Sequence, residues 1–254
     1  QHLNSFEYYV DLLKNNKHND KEKVLKTTNE LNDMLHKFNI DENERSQFIG
    51  CLLVALNNNL KYSKDLSTKE LLNRIKEKLQ EKIGDDTQNK KEKIDSLIKI
   101  LDSQNIQQLK FEKGIYELYN LLEVIDSNLI PYINDKTNKG EDLLNLFFTT
   151  FNKYVGKKDK NQAFTPTHIT DFMAEIVDLS WNSNVLDPTC GSGAFLVQAM
   201  TIMLHHENAV GNEEVRRKIK SNQIFGIEVE KKAFGLATTN MLIHDDGKSN
   251  VILS

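Results

Sequence analysis

The chain has 254 residues, 39% of them hydrophobic and 28% charged, and a formal net charge of -4 at pH 7. That length holds one large domain or two of ordinary size, and the composition is that of a folded protein rather than a disordered or fibrous one. No apolar run reaches the roughly 18 residues of a membrane span, and residues 1–9 lack a basic stretch followed by an apolar one, so neither a membrane helix nor a secretory leader is expected and the cytoplasm is the default compartment.

Residues 3–154 read as helical, interrupted only by Gly50, Gly84, Gly114, Pro131 and Gly140. Asp41 with Glu44 forms a capping-box pattern ahead of Phe48, Leu52, Leu53 and Leu56, and Ser67 with Glu70 forms another ahead of Leu71, Leu72, Ile75 and Leu79. Residues 84–89 are rich in turn formers. After them Ile94, Leu97, Ile98 and Leu101 line one helical face, and Phe111, Ile115, Leu118, Leu121, Leu122 and Ile125 continue at helical spacing. Pro131 separates that helix from residues 141–154, whose Leu143, Leu144, Leu146, Phe147, Phe148, Phe151 and Tyr154 are apolar over more than one face, as in a helix buried between two bodies. No repeat of fixed period is present, so a solenoid is not expected.

Residues 156–160 are polar, basic and glycine-led, and read as a linker. Beyond it the grammar changes. A helix is expected over residues 169–179, with Thr165 as cap and Pro166 in its first turn. Strand and helix then alternate: strand 184–187, helix 194–204, strand 223–229, helix 231–243 and a last strand at 251–253, with a small helix through Val215 and Ile219 in the long connection. This βαβαβ order implies a parallel sheet whose strand-end loops gather along one edge, where ligands bind.

Residues 161–254 carry 11 acidic and 7 basic side chains, so the net field of that part does not attract nucleic acid. A local patch such as Lys153, Lys157, Lys158 and Lys160, or another subunit, would have to do so. Cys51 and Cys190 are far apart in sequence and read as reduced thiols, and no cysteine or histidine spacing suggests a metal site.

The densest chemistry lies in residues 184–196, Asn-Val-Leu-Asp-Pro-Thr-Cys-Gly-Ser-Gly-Ala-Phe-Leu. Asp187 closes a strand, and Gly191 and Gly193 turn the chain into a helix start, which presents backbone N–H groups to a ligand. A second acidic residue, Glu228, closes the next strand, the place from which ribose hydroxyls are commonly bound, and Val229 follows it, able to lie against a flat base. The dinucleotide fingerprint is absent, and a carboxylate beside the loop would repel a pyrophosphate. A cofactor with a cationic amino acid end, an adenosine and no phosphate fits better, and S-adenosylmethionine is such a molecule.

Gln162 through Pro166, the stretch Asp187-Pro188-Thr189-Cys190-Gly191-Ser192-Gly193-Ala194-Phe195-Leu196 and Gly226-Ile227-Glu228, in that order, resemble the N6-adenine DNA methyltransferases, especially modification subunits of type I restriction and modification systems. The resemblance implies a helical N-terminal domain, residues 1–155, followed by the first part of a Rossmann-like class I S-adenosylmethionine-dependent methyltransferase domain, residues 156–254, with a truncated parallel sheet whose first strand keeps an unpaired edge. It implies that Gln162, Phe164, Thr165 and Pro166 line the methionine end of the cofactor. Asp187, Pro188, Gly191, Ser192 and Gly193 would hold its amino acid part, Glu228 its ribose hydroxyls, and Val229 would flank its adenine, while the Cys190 thiol needs no role.

The implied chemistry is methyl transfer to an adenine flipped out of duplex DNA, in company with a specificity subunit and a restriction subunit, with no membrane and no metal. The family carries an Asn/Asp-Pro-Pro-Tyr/Phe motif for that step. This sequence has none, its three prolines being Pro131, Pro166 and Pro188. No catalytic residue is therefore assigned, and the chain alone is expected to transfer no methyl group. A nucleotide-dependent oxidoreductase and a non-catalytic interaction module are the alternatives.

Overall fold

The structure, a computed structural model, describes residues 20–112, 115–133, 147, 150, 165, 167–244 and 250–254. Helices come first: α1 (Asp20–Lys37), α2 (Glu42–Asn57), α3 (Thr68–Ile83), α4 (Gln88–Leu101) and the short α5 (Gln104–Gln107). A hairpin of β1 (Phe111–Glu112) and β2 (Ile115–Tyr116) then leads into α6 (Glu117–Asn128) and the short α7 (Ile130–Ile133). The second part runs α8 (Thr167–Ile176), β3 (Val185–Asp187), α9 (Ala194–His205), α10 (Glu213–Asn222), β4 (Ile224–Glu228), α11 (Lys231–Ile243) and β5 (Val251–Leu253). The three later strands form one parallel sheet in the order β3-β4-β5.

Local chemistry explains most element boundaries. The Ser67 and Glu70 pair makes a complete capping box, and Gly84 at φ 76 ends α3 by donating its N–H to the Gln80 carbonyl at 2.8 Å. Thr87 caps α4 by accepting the Lys90 N–H. At the start of α2 the bond present is between backbones, Glu44 N–H to the Asp41 carbonyl at 2.9 Å.

One expected helix is shorter than its periodicity suggests. Phe111 and Ile115 are not on the helix that carries Leu118 to Ile125; they lie in paired strands, with Phe111 opposite Tyr116 and Glu112 opposite Ile115. Glu117 decides the boundary. Its N–H donates to the Lys110 carbonyl at 3.0 Å and its carboxylate accepts the Lys110 N–H at 2.7 Å, so the chain before it is closed into a hairpin. Phe, Ile and Tyr suit strands as well as they suit a helix face, and spacing alone did not separate the two.

Two apolar cores result. In the first, α2 is buried on nearly every side through Phe48, Ile49, Leu52, Leu53, Val54 and Ala55, and α1, α3, α4 and α6 pack around it. The second fills the space between one face of the parallel sheet and α9, α10 and α11, with Leu196, Met200, Met203, Ile219, Ile224 and Phe234 at its centre. Helix α11 belongs to both. Leu242 and Ile243 enter the helical core, while Phe234, Ala237 and Met241 enter the sheet core. The linker expected at residues 156–160, the lysines at 153–160 and all of residues 141–154 except Phe147 and Thr150 lie outside the described residues; Phe147 is fully buried in the first core.

Helices α2 and α11 approach closely because each offers a glycine to the other. A Cβ on Gly50 would lie 2.7 Å from Thr239 Cβ, and one on Gly235 would collide with the Gln47 amide. Gln47 Nε2 donates to the Ser96 carbonyl at 3.1 Å and Ser96 Oγ donates to the Lys231 carbonyl at 3.2 Å, which ties α4 to the same contact. Asn89 Nδ2 reaches the Val251 carbonyl at 3.2 Å, so α4 also touches β5.

The opposite face of the sheet is bare among the described residues. Leu186 pairs with Phe225, and Ile227 with Ile252, on that face; Leu186 is 61% exposed and Ile252 48%. Strand β3 pairs only with β4 among the described residues, which leaves the edge that the sequence anticipates. No described helix is long and apolar enough to cross a membrane.

Two outcomes follow from this packing. Gly50→Ala should cost about 1–3 kcal/mol, because the added methyl overpacks an interface with no slack, and urea unfolding of the chain measures it. His244, buried at the end of α11, has its imidazole pKa held down to about 3, first by burial and then by nearby Lys220. The ring is neutral when folded and ordinary when unfolded, so its contribution to stability is present above about pH 6.5 and is lost as pH falls from there towards about 3. His244→Gln should flatten the acid limb of a stability–pH curve over that window.

Candidate functional site

The parallel register sets Asp187 beside Gly226 at the C-terminal ends of β3 and β4, and the loop that leaves β3 crosses over the end of β4. Gly226 lets it do so. A Cβ there would lie 2.7 Å from Leu196 Cδ1 and 2.9 Å from Cys190 Sγ, so the first turn of α9 and the loop settle onto a strand position with no side chain. The loop is then stitched down. Cys190 N–H donates to the Ile227 carbonyl at 2.9 Å, Gly193 N–H to the Cys190 carbonyl at 2.8 Å, and Gly191 N–H to Glu228 Oε2 at 2.8 Å.

Gly191 and Gly193 both have positive φ, 55° and 78°, which an L side chain rarely adopts. Around Gly191 there is also open space among the described residues, since a Cβ there would meet none of their atoms within 4 Å. Gly193 is the opposite case, packed 3.4 Å from Ala237 of α11.

Glu228 is the hub of the site. Besides Gly191, it accepts the N–H groups of Val229 and Glu230 on Oε1 at 2.9 and 2.8 Å, while the residue as a whole is only 8% exposed. A carboxylate offers about four lone-pair directions, so three are spent on backbone and one remains. Asp187 spends one oxygen on the Thr189 N–H at 3.0 Å, a turn that starts the loop. Pro188 and Thr189 are exposed, and Val229 is 75% exposed next to the buried Glu228.

Both carboxylates act on one side chain. The Cys190 thiol has its pKa pushed up to about 12, first by burial and then by the negative charges of Asp187 and Glu228. Cys51 is raised further by burial alone, deep in the helical core. Both cysteines are free thiols, as the sequence implies, and neither environment favours a thiolate. The described residues contain no group of three or more His, Cys, Asp or Glu side chains able to hold a metal ion.

The structure thus brings Asp187, Pro188, Gly191, Ser192, Gly193, Glu228 and Val229 together at one end of the sheet. Thr165 is exposed just before α8, and Gln162, Phe164 and Pro166 lie outside the described residues. Two contributors have roles that the sequence reading does not state. Gly226 carries the loop's close approach, a role that glycine inside a strand signals. Glu230 caps α11 by accepting the Ala233 N–H at 2.7 Å, three residues on, directly before the helix start expected at Lys231.

Glu228→Gln should destabilise the protein by about 1–3 kcal/mol, because an amide cannot accept on its nitrogen and at least one buried N–H loses its partner. Hydrogen exchange at Gly191 should speed up in that variant, and thermal melting gives the loss in stability.

Residues 141–253 match the family described as N-6 DNA Methylase. A type II restriction enzyme and methyltransferase, RM.BcgI of Heyndrickxia coagulans, is 46% identical over 120 residues, which are 46% of this chain and 18% of that protein. The methylase subunit of the type I restriction enzyme EcoEI from Escherichia coli is 35% identical over 81 residues, 32% of this chain and 16% of the relative. Among solved structures, one from a study of complex assembly and conformational transition in a type I R-M system superposes with a TM-score of 0.64 at 19% identity, covering 92% of this chain and 51% of that one. A modification subunit from Vibrio vulnificus YJ016 superposes at 0.56 with 15% identity, over 92% of this chain and 56% of that one. The chain therefore matches less than a fifth of these curated relatives and about half of the superposed structures.

Proposed function

We propose, from the membership of residues 141–253 in the N-6 DNA methylase family, that this chain is the cofactor-binding part of an S-adenosylmethionine-dependent DNA adenine-N6 methyltransferase, a modification subunit of a type I restriction and modification system. Its partners in this reading are DNA, a specificity subunit and a restriction subunit, in the cytoplasm. Residues 1–155 form the helical domain, and β3, β4 and β5 are the first strands of a Rossmann-like class I sheet in residues 156–254.

The observation that carries the reading is the convergence of Asp187 and Glu228 on a glycine loop that is open at Gly191. Two carboxylates acting on one thiol make a field that repels phosphate and welcomes a cation, which speaks against the dinucleotide rival. S-adenosylmethionine has an ammonium group, two ribose hydroxyls, a flat base and no phosphate. The residues present fit it. Asp187, which keeps one carboxylate oxygen clear of the Thr189 turn bond, faces the amino acid end with the backbone of Gly191, Ser192 and Gly193. Glu228 has one acceptor direction left for a ribose hydroxyl, so a second hydroxyl bond requires it to release one of its backbone partners. Val229 is exposed where an adenine would lie flat. Gln162, Phe164, Thr165 and Pro166 complete the methionine end in this reading.

When bound, S-adenosylmethionine supplies an activated methyl group. The residues of this chain bind and orient it. With no Asn/Asp-Pro-Pro-Tyr/Phe among its 254 residues, they do not account for the handling of the flipped adenine, and none is assigned as catalytic.

Isothermal titration of the full-length protein should give S-adenosylmethionine binding that weakens at least about tenfold in Asp187→Ala, the scale expected for losing a charged hydrogen-bond partner. Unchanged affinity in that variant removes Asp187 from the site. Protection against thermal unfolding by NAD rather than by S-adenosylmethionine would move the protein to the oxidoreductases.

A further inference from the structure

Asn240 lies on α11, one turn beyond Ala237, and is only 3% exposed. Its Nδ2 donates to the Ser192 carbonyl at 2.8 Å. Ala237, three residues earlier on the same helix face, is the residue packed against Gly193. The back of the glycine loop therefore rests on α11 at two successive residues.

A peptide unit is planar, so whatever fixes its carbonyl also fixes the N–H on its other side. Asn240 holds the carbonyl of the Ser192–Gly193 peptide, and the Cys190 carbonyl holds its N–H at 2.8 Å. Together with the Gly191 to Glu228 bond, these contacts fix the loop in one shape before any ligand arrives.

The arrangement is not the cheapest way to fill the space. Asn240 Oδ1 is buried with no hydrogen-bond partner among the described residues. Leucine has the same branching of heavy atoms and would leave no acceptor unpaired, so a half-satisfied buried amide costs free energy that packing alone gives no reason to spend. What the amide does that leucine cannot is direct one bond at the loop backbone.

We infer that Asn240 is a positioning residue for the cofactor, acting through the Ser192–Gly193 peptide to preset the loop on which the amino acid end of S-adenosylmethionine lies. The inference rests on the reading of this loop as the cofactor site. Asn240 touches the loop and not the cofactor, and its effect should fall on binding.

The test compares Asn240→Leu and Asn240→Ala with Thr238→Val in the full-length protein with its partner subunits. Thr238 is fully buried on the same helix with an unpartnered hydroxyl, and removing that hydroxyl leaves the loop alone. The dissociation constant of S-adenosylmethionine, by calorimetry, should rise about tenfold in both Asn240 variants and stay unchanged in Thr238→Val. Amide hydrogen exchange of residues 191–194 in cofactor-free protein should accelerate in the Asn240 variants only. If Asn240→Leu melts like the parent, binds as tightly and exchanges as slowly, Asn240 merely fills space and the inference is overturned. If Asn240→Ala proves too unstable to assay, Asn240→Leu, which keeps the heavy-atom branching and fills the site, decides alone. If the parent protein does not bind S-adenosylmethionine, the cofactor reading falls, while the exchange rates still judge whether Asn240 holds the loop.

Discussion

The contact between α2 and α11 is the constraint on which the rest of the molecule turns. Each helix is apolar around most of its circumference, so each must be buried on several sides at once. Neither could approach the other without the glycines: Gly50 makes room for Thr239, and Gly235 makes room for Gln47. Because the outer face of α11 is fixed in this way, its inner face is fixed too, and that face carries Phe234, Ala237 and Met241 into the sheet core and the loop's support at Gly193. The helical body thereby sets where the ligand end of the sheet lies.

At that end, one acidic side chain serves two purposes that compete for its oxygens. Glu228 stabilises the fold by accepting three backbone N–H groups from two neighbouring segments, and its last acceptor direction is what remains for a ligand. A buried carboxylate normally carries a desolvation penalty, and backbone N–H groups offset it in the way a partner cation would elsewhere. The site holds negative charge beside a glycine loop on backbone donors, which leaves that charge available to a cationic guest.

Much of this could be read from residue order, and what escaped did so for identifiable reasons. The capping box at Ser67, the helix at Lys231–Ile243, the strand at Val251–Leu253 and the parallel pairing all follow from local chemistry, which the sequence states directly. The convergence of Asp187 and Glu228 was legible as well, because strand ends in a parallel sheet meet at one edge whatever the loops do. The hairpin at Phe111 to Tyr116 was not, since its residues satisfy a helical spacing and only the Glu117 to Lys110 bonds reject it. The burial of α11 between two cores was not foreseen either; the sequence suggested such a place for residues 141–154. Both segments are apolar over more than one face, and periodicity reports how much of a helix is covered without naming what covers it. Asn240 escaped for a similar reason: an asparagine in a helix gives no local sign of the distant carbonyl it meets.

The shared helix has a consequence for the order of events during synthesis. Gly50 leaves the ribosome with its apolar helix long before Thr239 exists; about 190 residues separate them, or roughly 10–40 s of translation at typical rates. For that interval the surface of α2 destined for α11 faces water, and Leu242 and Ile243 are missing from the core they finally complete. The nascent helical body must wait, partly covered and open to wrong associations, until a segment from the far end of the chain arrives to close it.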